Sequence, residues 1–179
     1  MPTSGHRRTM MIMNIKPTKG FVHEEVNSLE VEWYTPPFIF QKLNTIFDMD
    51  VCSAGSGKDY VPSFKKFTKQ DDGLSQQWSG FVWCNPPYGT QTGAWLRKMK
   101  EHNNGIALVF ARTGTKWWHE TVTSASLVCF ISGRLKFIDG NTGQPGGSAG
   151  ADSVLIAWGQ QAKDLLLNSG LGLFATVVQ

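Results

Sequence analysis

Cysteine is scarce in this chain: Cys52, Cys84 and Cys129 are the only three among 179 residues, and they lie far apart. An odd, dispersed set excludes a disulfide framework. There is no Cys-x2-Cys pair and no His-x3-His pair, so no structural zinc site is indicated. Long apolar runs are missing too, and nothing approaches the roughly 20 residues that a membrane-spanning helix needs. Met10-Met-Ile-Met is too short for the core of a secretion signal and runs into Asn14 and Lys16. Charge is sparse: 17% of residues are charged against 41% hydrophobic. A disordered chain has the opposite balance. These absences leave a folded protein in a reducing, cytoplasmic setting, with no membrane and no metal expected. The length suits one compact domain, since two would each be unusually small.

What is present is aromatic. Seven Trp and 11 Phe supply large stacking and packing surfaces. The net charge of +3 is mildly basic, compatible with a nucleic acid partner but far from a histone-like arm. Residues 1–28 are polar and lack sustained periodicity, so they read as a flexible tail or as a weak DNA-tracking arm. A single folded domain is expected over 29–179.

The pattern within that domain alternates. Trp33-Tyr-Thr-Pro-Pro is extended, because a residue before proline avoids the helical region. Pro37 to Phe47 carries Phe40, Leu43, Ile46 and Phe47 at helical spacing, with proline in the first turn. Phe47 to Val51 reads as a strand that ends in the loop Ser53-Ala-Gly-Ser-Gly57. The stretch bearing Lys65, Lys66 and Lys69 looks irregular. Phe81 to Cys84 is a second strand, and Thr92 to His102 a helix with Ala94, Trp95, Leu96 and Met99 inward. Gly105 to Ala111 is a continuous apolar strand of the buried parallel type. A short helix over Thr115 to Val122 and strands over Leu127 to Ile131 and Ser153 to Trp158 follow. Gly140 to Gly150 is glycine-rich and expected to be mobile. Phe174 to Val178 gives a last strand. Such alternation predicts an α/β fold with a largely parallel sheet. The loops Cys52–Gly57, Asn85–Gly89 and Arg112–Lys116 all follow strands, so they should meet at one sheet edge, where ligands of open α/β sheets bind.

The strongest single signal is Asn85-Pro86-Pro87-Tyr88. Two consecutive prolines stiffen the turn and remove two N–H donors. The carbonyls of Asn85 and Pro86 can then point outward beside the Asn85 side-chain oxygen, offering acceptors to an amino group. Tyr88 adds a flat face one step away. A planar ligand with an exocyclic amine would be held by its nitrogen and stacked on its ring. A plain strand-ending proline turn is the alternative.

Several stretches stand in one order: Trp33-Tyr-Thr-Pro, Phe47-Asp-Met-Asp-Val-Cys-Ser, Asp72-Gly-Leu-Ser-Gln-Gln-Trp78, Val82-Trp-Cys-Asn-Pro-Pro-Tyr-Gly89, Ala111-Arg-Thr-Gly-Thr-Lys-Trp117, Gly133-Arg-Leu-Lys-Phe137 and Asp152-Ser-Val-Leu-Ile. Over about residues 30 to 160 the chain resembles the phage and prophage DNA adenine-N6 methyltransferases. The resemblance implies a reduced Rossmann-like methyltransferase fold, a mostly parallel twisted sheet flanked by helices. It also implies S-adenosylmethionine as cofactor, double-stranded DNA as partner, action as a monomer and a bacterial host cytoplasm. Carried over onto this chain, it sets Trp33, Thr35, Pro36, Asp50, Cys52, Ser53 and, more loosely, Asp72 around the cofactor. Asn85, Pro86, Pro87 and Tyr88 hold the target adenine. Only 35 residues separate Asp50 from Asn85, so the βα units between them must be trimmed.

The chemistry of the residues agrees. An adenine amino nitrogen is a poor nucleophile because its lone pair is delocalised into the ring. Acceptors that draw the amine toward tetrahedral geometry and disperse its developing positive charge help, and Asn85 and the Pro86 carbonyl are such groups. A base within a duplex cannot reach them unless it flips out. Arg112 and Lys116, beside Trp117 and Trp118, suit phosphate contact or a plain helix start. Arg134 and Lys136 alternate with Leu135 and Phe137, which fits a DNA-facing strip or a solvated edge. The same constellation also suits cytosine N4, RNA amines or glutamine amides, and a non-catalytic DNA-binding module could retain the fold.

Overall fold

The computed structural model describes residues 32–55 and 59–178, all within a unit that spans Val31–Gln179. The tail expected over 1–28, the start of the domain near Leu29 and Gly57 lie outside the described residues.

The elements are β1 (Trp33–Tyr34), α1 (Pro37–Leu43), β2 (Phe47–Asp50), β3 (Ser63–Lys66), β4 (Val82–Cys84), α2 (Thr92–His102), β5 (Gly105–Phe110), α3 (Lys116–Thr121), β6 (Leu127–Ile131), β7 (Ile138–Asp139), β8 (Ser153–Trp158), α4 (Gln160–Leu167) and β9 (Gly172–Ala175). One sheet has the order β3-β2-β4-β5-β8-β6-β9, and β1 pairs with β7 in a separate ribbon. β3, β2, β4 and β5 are parallel neighbours. β8 runs against both β5 and β6, and β9 runs against β6. Five of the seven strands therefore point one way, and the reversed β8 sits between two of them.

The central strands β4, β5 and β8 are buried on both faces, as strands without polar alternation require. Ile106 and Leu108 of β5 face Ile39, Phe40 and Leu43 of α1 and Ala162 and Leu166 of α4. Ala107 and Val109 face the other way, toward Trp95, Leu96 and Met99 of α2. Each fully buried Ile, Leu, Val or Met among them contributes about 1.5–3 kcal/mol, and together these side chains form the floor on which the strand-end loops stand.

The helix expected over Pro37 to Phe47 stops at Leu43. Asn44 adopts a left-handed conformation (φ 46°), and its N–H returns to the Phe40 carbonyl at 2.8 Å. Asparagine tolerates that conformation at a helix end. Phe47 is thereby released to begin β2. Asn103 caps α2 in the same way.

Two further expectations are corrected. The basic stretch is not irregular throughout: Ser63–Lys66 is the edge strand β3, parallel to β2. It is the only strand between β2 and β4 among the described residues, and no helix accompanies it. The glycine-rich stretch 140–150 is bonded along its length. Gly140 donates to the Glu32 carbonyl (2.7 Å), Gly146 to Phe137 (2.8 Å) and Ala149 to Leu135 (3.0 Å). Glycine lets this segment lie against aromatic rings, since a Cβ on Gly146 would come within 2.4 Å of the Trp33 ring. The last strand is Gly172–Ala175, earlier than expected, and α4 was not expected at all.

Candidate active site

The loops after β2, β4 and β5 leave the carboxyl ends of three adjacent parallel strands, so topology alone brings them together. Asn85 leaves β4 half-buried, Pro86 is buried, and Pro87 and Tyr88 are exposed. The first residue of α2 pins the turn: Thr92 Oγ1 donates to the Pro87 carbonyl and accepts from the Gly89 N–H, both at 3.2 Å.

The amide of Asn85 is held at both ends. Its Nδ2 donates to Thr35 Oγ1 at 3.2 Å, and its Oδ1 accepts from the Tyr88 hydroxyl at 3.3 Å. Thr35, 3% exposed, is fixed just before α1. The amide is thus held with Oδ1 toward Tyr88 and Nδ2 toward Thr35. One lone pair of Oδ1 remains for a substrate donor. Tyr88 stacks one face on Phe110 (centroids 4.1 Å apart, 10° between planes), and Phe137 meets it edge-on at 6.2 Å. Even so, 40% of Tyr88 is exposed, so the ring is braced from behind and open outward. Burial of its hydroxyl pushes the phenol ionisation far up, and Tyr88 is neutral.

Beside the turn lies a cavity of about 50 Å³, lined in part by Trp33, Thr35, Asp50, Cys52 and Asn85. Five residues expected around the site thus converge. Tyr34, Asp59, Tyr60 and Trp83 join them, unforeseen as site residues from sequence. Asp50 is 2% exposed and accepts the Cys52 N–H at 3.2 Å. Burial outweighs that bond and pushes its carboxyl up to about 7, with Asp59 adding to the rise and Lys66 opposing it. Ser53 does not line the cavity; it donates to Asp59 at 2.5 Å, and Asp59 also pairs with Lys66. Pro36 is buried at the start of α1. Asp72 is exposed in a turn with φ 49°, away from the cavity lining. A larger groove of about 760 Å³, between α1 and the amino-terminal ends of β2 and β3, shares only Tyr60 with the cavity among the described residues. It lies at the sheet edge opposite the strand-end loops, where ligands of such sheets do not bind.

The sulfurs of Cys52 and Cys84 are 3.8 Å apart beneath the turn. Burial and the neighbouring thiol push Cys52 well above its ordinary value, so it is no nucleophile. Cys84 is fully buried, as its strand position implied.

The four expected DNA-facing cations differ. Arg112 is exposed, with its guanidinium 5.9 Å from the Phe110 ring behind Tyr88. Lys116 is exposed and pairs with Glu120 at 3.5 Å. Arg134 donates to the Ala149 carbonyl (3.1 Å) and pairs with Asp152 (3.5 Å), tying the glycine-rich segment down. Lys136 is exposed, while Leu135 and Phe137 are buried at 3% and 6%. The alternation read from sequence holds, although the segment precedes β7 as extended chain. Among the described residues no group of three or more His, Cys, Asp or Glu is placed to hold a metal ion, and no helix is long and apolar enough to cross a membrane.

A sheet of this order, with a proline turn on one strand end and a cavity lined by a buried acid on the next, is compatible with a methyltransferase of the α/β class. The family model for DNA N-6-adenine-methyltransferase (Dam) matches residues 23–169, and the chain belongs to that family. It is a DNA N6-adenine methyltransferase. No curated protein and no solved structure matches it.

Proposed function

We propose that adenine flips from double-stranded DNA onto the open face of Tyr88 and gives its amine to Asn85 Oδ1 and the Pro86 carbonyl. S-adenosylmethionine sits beside it, with its methionine end in the cavity between the ends of β2 and β4. The observation that carries this reading is the two-point clamp on the Asn85 amide. Thr35 and Tyr88 hold the amide at both ends, with its oxygen on the Tyr88 side, in the wall of the cavity that Asp50 also lines. Bound S-adenosylmethionine supplies an electrophilic methyl group on a positively charged sulfur. The chain's own groups do the rest. Asn85 and Pro86 localise the amine lone pair and spread the positive charge that develops on nitrogen. Tyr88, braced by Phe110, replaces the stacking lost on flipping. Ionised Asp50 favours a cationic ligand. At 50 Å³ the cavity is well below the 300–1,000 Å³ of a whole small-molecule site, which is why it is given to one end of the cofactor.

Arg112, Lys116 and Lys136 border this site and contact phosphates, whereas Arg134 acts mainly through the segment it ties. Ser53 acts through Asp59, which it bonds and which lines the cavity. The domain over 29–179 works as a monomer in the host cytoplasm without a metal ion. Calorimetry on the purified protein with chelator present should detect S-adenosylmethionine binding in the absence of DNA. No heat at high cofactor concentration would remove the cofactor from this cavity.

A further inference from the structure

We propose that the indole N–H of Trp83 is a cofactor-binding donor that receives the carboxylate of the amino-acid end of S-adenosylmethionine. The inference rests on the placement of that cofactor in the cavity between β2 and β4.

Trp83 is fully buried, and its Nε1 has no hydrogen-bond partner among the described residues. A buried donor without an acceptor is costly and rare in native proteins. Three other buried polar side-chain atoms share that condition, on Ser63, Trp95 and Ser153, but only Trp83 also lines the cavity. The indole is not loose. Phe40 meets it edge-on at 4.9 Å and Phe47 lies 5.4 Å away, so its direction is set by packing before any ligand arrives. Such a donor loses no freedom on binding.

Its neighbour completes the match. Trp83 and Asp50 are register partners on β4 and β2, and both line the cavity. Asp50 is buried with one N–H bond, from Cys52, and burial keeps its carboxyl near neutral pH in its ionisation. The cavity wall therefore includes a residue whose buried donor wants an acceptor, next to an acid in want of a positive charge. An α-amino acid carries both complements two bonds apart: a carboxylate for the indole and an ammonium for Asp50. A nucleoside carries no such pair, and a volume of about 50 Å³ suits an amino-acid head.

The test varies protein and ligand together. Calorimetry should compare S-adenosylmethionine with its decarboxylated analogue, which retains the sulfonium and the amine but lacks the carboxylate. Trp83→Phe keeps an aromatic ring and loses the N–H. It should weaken S-adenosylmethionine binding by about 10- to 100-fold, the range for a hydrogen bond to a charged group. Affinity for the decarboxylated analogue should stay within about twofold of the unaltered protein. Equal losses for both ligands would overturn the assignment and leave Trp83 a packing residue. Should Trp83→Phe fail to fold, the unaltered protein still decides. The Trp83 indole 15N–H resonance, assigned through its contacts to Phe40 and Phe47, should move with S-adenosylmethionine and stay with the analogue. An unmoved resonance in the presence of bound S-adenosylmethionine refutes the role. If neither ligand binds the unaltered protein, the placement of the cofactor in this cavity falls, and the role of Trp83 with it.

Discussion

Asp50→Asn should stabilise the protein and weaken its hold on the cofactor, and the gain should depend on pH. The carboxyl of Asp50 is pushed from an ordinary 3.8 to about 7, with burial as the first cause. A group whose folded-state value is raised gives stability that is complete below its unfolded value and is lost as pH rises through its folded value. The window for Asp50 therefore runs from about pH 4 to about pH 7. At 1.36 kcal/mol per pH unit, the full loss above pH 8 is about 4 kcal/mol, a large part of the roughly 5–15 kcal/mol that holds a typical domain folded. Asparagine keeps an oxygen to accept the Cys52 N–H and carries no charge to bury. At pH 8 the variant should unfold at a temperature roughly 10 °C higher. At pH 5, where the native carboxyl is mostly neutral, the two proteins should nearly coincide. Urea unfolding at both pH values measures the gap. A gap of equal size at pH 5 and pH 8, or a variant less stable at pH 8, would refute the reasoning. The same substitution removes the anion offered to a cationic ligand. Native affinity for S-adenosylmethionine should accordingly rise with pH through about 7, with proton release on binding, and that rise should vanish in the variant.

Asn85→Ala should slow methyl transfer at saturating cofactor about 100-fold or more, by analogy with loss of an oxyanion-hole donor; single-turnover rates with saturating cofactor read this directly. Tyr88→Ala should destabilise the flipped base by roughly 1–3 kcal/mol. A mismatch opposite the target adenine should rescue Tyr88→Ala in part and Asn85→Ala little, and equal rescue would mean that the two residues do not divide the work. Lys136→Ala should lower the slope of log affinity against log salt by about 0.9, the worth of one phosphate contact. An unaltered slope would take Lys136 off the backbone. Arg134→Ala should also lower the melting temperature, because Arg134 holds the Ala149 carbonyl and Asp152.

What could be read in the sequence was whatever local pattern decides. β5 is apolar at every position and was visible as a doubly buried strand. The proline turn announced its own stiffness, and its position after β4 placed it at the sheet edge. β3 was invisible for a physical reason: Ser63-Phe-Lys-Lys is an edge strand whose Phe64 is 78% exposed, so neither alternation nor a buried run marks it. The end of α1 depended on one residue, Asn44, whose left-handed turn interrupts an apolar spacing that continues to Phe47. α4 buries only Ala162 and Leu166, too thin a stripe to stand out. Within the site, Asn85 was legible from its proline turn at a strand end, and Asp50 through the family resemblance. Tyr60 and Asp59 enter from a loop with no periodicity. Trp83 is core, and its unmet N–H emerges only when the neighbouring strands are in place.

The most direct measurement follows the methyl group itself. Double-stranded DNA is incubated with the purified protein and S-adenosylmethionine bearing a labelled methyl, then digested to nucleosides for mass spectrometry. The unaltered protein should place the label in N6-methyladenine, and the Asn85→Ala protein should place about a hundredth as much in the same product. Label in N4-methylcytosine, or equal yields of N6-methyladenine from the two proteins, would contradict the assignment of Asn85 as the acceptor that drives adenine methylation.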